Sequence, residues 1–388
     1  AAGLADGESR LSNVLESEDI RLTMGGLQKM GVRIDRDGDA WRVHGTAGRL
    51  TGADEIFLGN SGTSMRFFTA LAALATGETV LTGTERMQER PVADLLDALA
   101  LLKVPVRCLR RDGCPPISVT GGKLTGGSVA IRCGVSSQYL SALLLTAPCT
   151  TEGMDIRVTE GPVSKPYIDM TLAVMERLGV SVDREGYNRF RVPGGQTYRA
   201  GQVTVETDAS NASYFWAAAA VTGGEVTVRG IGRDSIQGDV KLSGVLARMG
   251  CRVADHPDGL TVTGGELAAI EVDMADMPDM VPTLAVVAAF AQGTTRIRNV
   301  GHLRAKECDR LTAVATELGR MGARVATTET DLTVTGGDLH GARIRTYDDH
   351  RMAMCFAVAG LAVPGVVIED ETCVRKSFPG FWEVFETL

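Results

Sequence analysis

Signals for metal and nucleotide chemistry are missing from this sequence of 388 residues. Its eight cysteines form no C-x-x-C pair and only five histidines accompany them, so a structural zinc site is not expected. No G-x-G-x-x-G stretch follows a strand and no GxxxxGK(S/T) loop occurs, so nucleotide binding through such loops is unsupported. The cysteines are scattered through apolar segments, which is typical of reduced thiols, so we expect a cytoplasmic protein.

Positive charge and long apolar runs are also scarce. The 40 Lys and Arg residues stand against 48 Asp and Glu residues, a net charge of −8, whereas nucleic acid and acidic membranes attract basic proteins. The longest apolar run, 352–368, is broken by Pro364-Gly365 and is shorter than the ~20 residues of a spanning helix. The opening AAGLADGESR lacks the basic start and apolar core of a signal peptide. We therefore predict no nucleic-acid partner and no membrane association.

What the sequence does contain is a repeat of about 72 residues. A pattern of two apolar residues three apart, then glycine and an alternating stretch, recurs at the markers Gly31, Pro105, Gly179, Gly250 and Gly322. Each marker is followed by a strand-like phrase such as LTVTGG and then by an apolar segment with a polar start and a glycine end. Such a segment predicts a buried helix with a polar N-cap.

One repeat therefore predicts a helix, a strand hairpin, a buried helix and a strand. Six repeats divide into an N-terminal lobe, 1–205, with its first repeat truncated, and a C-terminal lobe, 206–388, with its last repeat incomplete. The predicted class is α/β (α+β). A solenoid scaffold is the alternative, but solenoid units usually have 20–45 residues, and these are longer and mix helix with strand.

Cations occur beside the predicted helix starts, where they oppose the positive end of the helix dipole. They are Arg90, Lys165, Arg310, Arg351 and Lys376. A single such cation is most simply a solvated side chain, but five in corresponding places of a repeat indicate a shared purpose. Helix N-termini and guanidinium groups both suit phosphate and carboxylate, so we predict a cleft between the lobes that binds two acidic small molecules.

Acid–base candidates lie among these cations. Glu307 lies between Lys306 and Arg310, and Asp279 begins a very apolar helix. Asp279 fits either an N-cap or a general acid or base, and His350 fits either a packed cap residue or an acid–base group. Spacing alone does not decide between these alternatives.

The order of several motifs resembles the enolpyruvylshikimate-phosphate (EPSP) synthase family. The motifs are LGNSGTSMR (58–66), ERPVADLL (89–96), SSQYLSALL (136–144), SKPYIDMT (164–171), DASNASYF, RAKECDRL, TYDDHRMAMCFA (346–357) and KSFPGFW. The resemblance implies two lobes of three βαβαββ repeats each, an inside-out barrel. It implies transfer of the enolpyruvyl group of phosphoenolpyruvate to the 5-hydroxyl of shikimate 3-phosphate by a monomer without cofactors, a glyphosate target.

The resemblance also implies roles for individual residues. Phosphoenolpyruvate would be bound by Gly62, Arg90, Gln138, Arg310, Arg351 and Lys376. Shikimate 3-phosphate would be bound by Ser136, Ser137, Gln138, Ser164, Asp279 and Lys306, with Tyr167 nearby. Asn60, Thr63 and Arg66 complete the substrate-binding set. Asp279 would be the base for the 5-hydroxyl, Glu307 would move a proton at the methylene carbon, and Lys376 and His350 complete the catalytic set.

The sequence departs from the family pattern at several points. A Lys-Ser…Arg motif that opens the family's first buried helix is absent and is expected upstream of Ala1, which places the activity of this chain in question. Phe67 stands where many members have proline, and His302 stands where an asparagine often contacts the shikimate phosphate. Two alternatives remain: a UDP-N-acetylglucosamine enolpyruvyl transferase, disfavoured because 84–90 lacks a cysteine, and a binding protein without turnover.

Overall fold

A computed structural model describes all 388 residues. The chain forms two compact units, Ala1–Val205 and Glu206–Leu388, and each unit has its own hydrophobic core. None of the helices has the length and apolar composition that crossing a membrane requires.

Eleven α-helices alternate in the chain between partly exposed and buried ones. The first unit contains α1 (Glu18–Lys29), α2 (Gly62–Leu74), α3 (Ala93–Leu101), α4 (Gln138–Thr146) and α5 (Lys165–Arg177). The second contains α6 (Ala209–Thr222), α7 (Leu242–Arg248), α8 (Val281–Ala289), α9 (Arg310–Arg320), α10 (His350–Ala362) and α11 (Phe381–Phe385). Short 3₁₀-helices lie at Ala2–Leu4, Met87–Glu89, Ala147–Cys149, Gly238–Lys241, Pro278–Met280, Gly301–Ala305 and Glu371–Lys376.

Twenty-one strands complete the two units. Those of the first are β1 (Asp6–Ser12), β2 (Arg33–Asp37), β3 (Ala40–Thr46), β4 (Ile56–Phe57), β5 (Gly77–Thr82), β6 (Val106–Cys108), β7 (Ile117–Gly121), β8 (Gly126–Arg132), β9 (Gly153–Glu160), β10 (Asp183–Glu185), β11 (Arg189–Val192) and β12 (Gln202–Thr204). Those of the second are β13 (Glu225–Arg229), β14 (Arg252–His256), β15 (Gly259–Thr263), β16 (Glu271–Asp273), β17 (Thr294–Arg298), β18 (Arg324–Thr327), β19 (Leu332–Thr335), β20 (Arg343–Ile344) and β21 (Val367–Ile368).

The sheets repeat one strand order. In the first unit the three sheets are β12-β1-β3-β2, β4-β5-β7-β6 and β8-β9-β11-β10, and the first pair of each is parallel and the rest antiparallel. In the second unit the sheet β16-β17-β19-β18 has the same four-strand order. The sheet β13-β15-β14 matches only the three antiparallel strands of that order, and β20-β21 matches only its parallel pair. The mixed α/β class predicted from the sequence is confirmed, and no sheet closes into a barrel.

The predicted buried helices are present. Every residue of α8 is buried, and most residues of α2, α4, α6 and α10 are as well. Because these helices are apolar on nearly every face, they pack on several sides and supply most of each core. Their starts are therefore fixed by packing, which gives the polar residues there defined positions.

Positive φ angles mark equivalent turns along the chain. Glycines with φ between 71° and 106° lead into the strand after each buried segment, at Gly7, Gly77, Gly153, Gly223, Gly293 and Gly365. The marker glycines also have positive φ, but the marker at Pro105 is wrong by two residues. There α3 ends at Leu101, and Lys103 takes the left-handed turn with φ 63°. Pro105 itself cannot take this turn, because its ring fixes φ near −65°.

Candidate functional site

Three helix starts of the second unit bring charged residues together. Asp279 lies in the 3₁₀-helix that precedes α8, Arg310 is the first residue of α9, and Arg351 is the second residue of α10. Asp309 caps α9 by accepting from the Thr312 backbone N–H at 3.1 Å, which fixes where the helix begins.

Arg310 is the centre of this cluster, and its side chain is only 2% exposed. Its Nε and Nη2 donate to the Asp349 carboxylate at 2.7 and 3.2 Å. Its Nη1 donates to Asp279 Oδ1 at 2.9 Å, and Nη2 also donates to Glu307 Oε2 at 2.8 Å. One buried guanidinium group thus joins three carboxylates, the multidentate geometry for which arginine is suited.

Three further cations surround the same carboxylates. Arg351 Nη2 donates to Asp279 Oδ2 at 3.0 Å, and Lys306 Nζ lies 3.5 Å from Asp279 Oδ1. Lys376 Nζ lies 3.4 Å from Glu307 Oε1. Four cations therefore meet three carboxylates, and a local excess of positive charge exists in a protein whose net charge is −8.

The ionisation of the cluster follows from burial and charge. Burial alone would raise the pKa of Asp279, but the cations around it, chiefly Arg351, hold that pKa well below its usual range. Burial, and next the charge of Lys376, lower the pKa of His350 to about 3. Burial, followed by the charge of Lys306, lowers the pKa of His302 to about 4. At neutral pH the site therefore holds ionised Asp279 and neutral imidazoles.

In the first unit two guanidinium groups flank a glycine at the start of α2. Arg90 Nη1 donates to the Asn60 carbonyl at 2.9 Å and to its side-chain Oδ1 at 3.1 Å. A Cβ on Gly62 would lie 2.4 Å from Arg90 Nη2 and 2.5 Å from Arg66 Nη1. Only glycine leaves room for both guanidinium groups beside the backbone N–H groups of this helix start, which no side chain caps.

Gln138, the first residue of α4, connects to the same helix start. Its Oε1 accepts from Arg66 Nη1 at 3.0 Å, and its Nε2 donates to Thr63 Oγ1 at 2.7 Å. Arg66 also lies over the Tyr139 ring, with Cζ 5.6 Å from the ring centroid. These contacts hold the starts of α2 and α4 in register, so five predicted residues (Asn60, Gly62, Thr63, Arg66 and Gln138) share one location with Arg90.

The predicted serine and tyrosine residues lie at two helix starts of the first unit. Ser136 Oγ accepts from the Gln138 N–H at 3.3 Å, and buried Ser137 directly precedes α4. Ser164 is buried with φ 55° and directly precedes α5, and Tyr167 N–H donates to the Ser164 carbonyl at 3.2 Å.

Two of the expected helix-start positions are wrong. Arg90 lies three residues before α3, and Lys376 ends a 3₁₀-helix five residues before α11. Pro91 follows the first and Pro379-Gly380 the second, and a regular helix begins only beyond these residues. Lys165 does begin α5, but its Nζ lies over the Tyr187 ring, 5.6 Å from the centroid.

The polar residues that open the buried helices divide into two groups. Asp208 and Asp349 act as N-caps, accepting from the backbone N–H groups of Asn211 and Arg351 at 3.0 Å. The 3₁₀-helix of Asp279 has no side-chain cap, and its carboxylate instead binds the arginines. The N-cap alternative for Asp279 is therefore wrong, because its carboxylate accepts hydrogen bonds from Arg310 and Arg351 and not from the backbone N–H groups of the helix.

Sequence reasoning missed two contributors to the cluster. Asp349 is fully buried and accepts from Arg310, and Tyr214 on α6 has its hydroxyl 3.3 Å from Arg351 Nη1. The signal for Tyr214 was a phenol at the start of the apolar stretch YFWAAAAV of a buried helix, because a buried hydroxyl needs a hydrogen-bond partner.

Sequence comparison identifies the family. Residues 1–385 match the family model described as EPSP synthase (3-phosphoshikimate 1-carboxyvinyltransferase). The 3-phosphoshikimate 1-carboxyvinyltransferase of Syntrophobacter fumaroxidans is 46% identical over 391 residues, covering 100% of this chain and 92% of the relative. That of Shewanella baltica is 45% identical with the same coverage.

Solved structures give the same fold. EPSP synthase from Acinetobacter baumannii superposes with a TM-score of 0.80 at 28% identity, covering 100% of this chain and 91% of that one. The enolpyruvyl transferase NikO from Streptomyces tendae gives 0.76 at 22% identity, covering 100% and 90%, and so shares the fold. The architecture is thus that of the enolpyruvyl transferases. The chain belongs to the EPSP synthase family.

Proposed function

We propose that this protein transfers the enolpyruvyl group of phosphoenolpyruvate to the 5-hydroxyl of shikimate 3-phosphate and releases phosphate. The observation that carries the proposal is the second-unit cluster, in which cations suited to acidic substrates hold carboxylates suited to proton transfer. Family membership supports the same reaction.

The cations account for substrate binding in this proposal. Arg310, Arg351 and Lys376 bind the phosphate and carboxylate of phosphoenolpyruvate, for which charged multidentate donors are suited. Gly62, Arg90 and Gln138 of the first unit are also assigned to phosphoenolpyruvate, supported by the paired guanidinium groups beside Gly62. Asn60, Thr63 and Arg66 hold that set in place.

Shikimate 3-phosphate is assigned to hydroxyl and ammonium groups. Ser136 and Ser137 precede one helix and Ser164 precedes another, where backbone N–H groups favour a phosphate. Tyr167 lies one turn beyond Ser164, and Lys306 adds a charge beside Asp279.

The carboxylates account for proton movement. Asp279 takes the proton of the 5-hydroxyl as that oxygen bonds to the central carbon of phosphoenolpyruvate. Glu307, which acts in its protonated form once substrate anions have displaced it from Arg310 and Lys376, delivers its proton to the methylene carbon. The resulting tetrahedral intermediate loses phosphate as the carbon–oxygen bond to it breaks, and the methyl group returns its proton to Glu307. Lys376, which contacts Glu307, and the neutral His350 complete the proposed catalytic set.

The low pKa of Asp279 requires explanation, because a strongly stabilised carboxylate is a poor base. Arg310, Arg351 and Lys306 supply that stabilisation. Substrate anions that engage the same donors weaken it, so the pKa of Asp279 rises when the substrates are bound. Binding therefore prepares the base.

The test is phosphate release from phosphoenolpyruvate measured with and without shikimate 3-phosphate. Release that depends on shikimate 3-phosphate is expected, and the same assay with UDP-N-acetylglucosamine as the acceptor is the control. Release that needs UDP-N-acetylglucosamine instead, or no release with either acceptor, would contradict the proposal.

We further infer that the two units are lobes of three repeats each, supported by the recurring strand order and the six turn glycines. Net negative charge argues against nucleic-acid and acidic-membrane partners, and cysteines without disulfides fit a cytoplasmic protein. A monomer that acts without a cofactor is what the family resemblance implies. Sedimentation velocity should show one species near 41.1 kDa, and a larger species would contradict the monomer.

A further inference from the structure

A carboxylate on α9, outside the cluster, holds the segment that carries Asp349. Glu317 is fully buried and lies two helical turns after Arg310, on the same face of the helix. Its Oε1 accepts from the Tyr347 hydroxyl at 2.6 Å, and its Oε2 accepts from the Arg345 backbone N–H at 3.2 Å. Helix α9 therefore contacts this segment twice, through Arg310 at Asp349 and through Glu317 at Tyr347.

The segment held in this way has an unfavourable backbone. Tyr347 has φ 57° and Asp348 has φ 53°, two consecutive left-handed residues that are not glycine. Such a conformation persists only where surrounding contacts impose it. The turn is closed by a hydrogen bond from the Asp349 N–H to the Thr346 carbonyl at 3.0 Å, and the Arg345 side chain covers the Tyr347 ring.

The residue that this turn delivers is central to the cluster. Asp349 accepts from Arg310 and from the Arg351 N–H, so its position sets the guanidinium group of one residue and the helix start of the other. A buried carboxylate is costly and does not stabilise a fold by its presence alone. The cost of burying Glu317 is consistent with a role in fixing geometry.

We propose that the Tyr347–Glu317 hydrogen bond is a positioning device that holds Asp349, and through it Arg310 and Arg351, in the geometry that binds phosphoenolpyruvate. The inference rests on the proposed function for its kinetic test but not for its structural one. Glu317 and Tyr347 are positioning residues, since neither is assigned a contact with substrate.

Tyr347→Phe is the first test, because it removes the hydroxyl and keeps the ring against Arg345. We expect kcat/KM for phosphoenolpyruvate to fall about 10-fold, with a raised KM for that substrate. The KM for shikimate 3-phosphate should change less than that for phosphoenolpyruvate. Its serines in the first unit are untouched, and only Asp279 among its proposed ligands contacts Arg310 and Arg351. A change in kcat alone would overturn the proposal, because it would indicate only a smaller folded fraction.

Arg320→Gln is the matched control. Arg320 Nη1 also donates to Glu317, at 3.2 Å, but its side chain is 49% exposed and makes no hydrogen bond to the 345–349 segment. Wild-type kinetics are expected for this variant. A loss equal to that of Tyr347→Phe would assign the effect to the charge of Glu317 and would overturn the positioning role.

A backbone rescue separates positioning from general damage. Glycine adopts positive φ without steric cost and alanine does not. Adding Asp348→Gly to Tyr347→Phe should therefore bring the raised KM for phosphoenolpyruvate much of the way back to the wild-type value. Asp348→Ala removes the same carboxylate but keeps the strain, and it should not restore the KM. Equal effects of the two substitutions would count against the proposal.

Crystal structures of wild type and Tyr347→Phe decide the matter independently of turnover. Displacement of Asp349 from Arg310, now joined at 2.7 Å, would support the proposal even if wild type released no phosphate and the proposed function failed. An unmoved Asp349 with both φ angles unchanged would overturn the positioning role while leaving the proposed function intact.

Discussion

Arg310→Met tests whether one buried guanidinium group holds the carboxylates of the second unit. The substitution removes the donors to Asp279, Glu307 and Asp349 and leaves an unbranched apolar stem in their place. Asp349 is fully buried and Arg310 is the cation in contact with it, so its carboxylate is left buried without a positive partner.

The size of the loss follows from these contacts. Two of the four hydrogen bonds made by Arg310, at 2.7 and 3.2 Å, reach Asp349. Removing one partner of a buried ion pair costs about 3–5 kcal/mol, and each 1 kcal/mol shifts the Tm of a domain of this size by roughly 2–4 °C. We therefore expect Tm to fall by on the order of 10 °C at neutral pH.

The loss should also depend on pH. In the wild type, burial raises the pKa of Asp349, but Arg310 outweighs it and the pKa lies below its usual range. The stabilisation is therefore complete at any pH above the unfolded pKa of about 4. In the variant the opposing cation is gone, so burial and the negative charge of Glu307 dominate and raise the folded pKa of Asp349 above the unfolded one. The destabilisation therefore fades as pH falls through that folded pKa. The Tm gap between wild type and variant should narrow from about pH 8 to about pH 5.

Thermal unfolding followed by circular dichroism measures this gap. Arg343→Met is the control, because its ion pair with Glu369 at 3.1 Å is formed by a side chain that is 72% exposed. Exposed pairs contribute about 1 kcal/mol or less, so the control should melt near wild type. Equal losses in the two variants, or a gap that does not change with pH, would refute the reasoning.

Three further results are expected. Gly62→Ala places its Cβ within 2.4–2.5 Å of Arg90 and Arg66, so both guanidinium groups must move. The KM for phosphoenolpyruvate should then rise about 10-fold in steady-state assays, with Tm nearly unchanged. An unchanged KM would remove Arg90 and Arg66 from the binding site. Asp279→Asn should lower kcat by about 100-fold or more without weakening phosphoenolpyruvate binding in calorimetry, and wild-type turnover would exclude Asp279 as the base. Raising the ionic strength from about 0.05 to about 0.5 M should weaken phosphoenolpyruvate binding, and salt-independent affinity would argue against the cation cluster.

Much of the fold was predictable because the same local residue types recur in each repeat of about 72 residues. Apolar runs with polar starts predict α6 and α8, and positive-φ glycines such as Gly223 mark their ends. The prediction failed where a residue other than glycine adopts the positive φ that ends the helix. At α3 a lysine takes the left-handed turn that the other repeats give to glycine, so the apparent marker at Pro105 is displaced.

The site was predictable only in part, because the sequence gives residue types but not the partner of each one. Cations beside helix starts were recognised, and Arg310 and Arg351 do meet Asp279. Tyr214 and Arg351 are 137 positions apart in sequence, and no local signal pairs them. Glu317 resembles a surface residue between Thr316 and Leu318, and only the folded chain shows that it is fully buried.

The cluster has a consequence for how binding and chemistry are coupled. The cations proposed to bind phosphoenolpyruvate are occupied in the empty protein by the carboxylates proposed to move protons. An arriving anion must compete with Asp279 and Glu307, so part of its binding energy separates those ion pairs and does not appear as affinity. The same separation raises the basicity of Asp279. We therefore expect phosphoenolpyruvate to bind more weakly than four free cations would bind it. This loss of affinity accompanies a base, Asp279, that becomes active only when substrate is present.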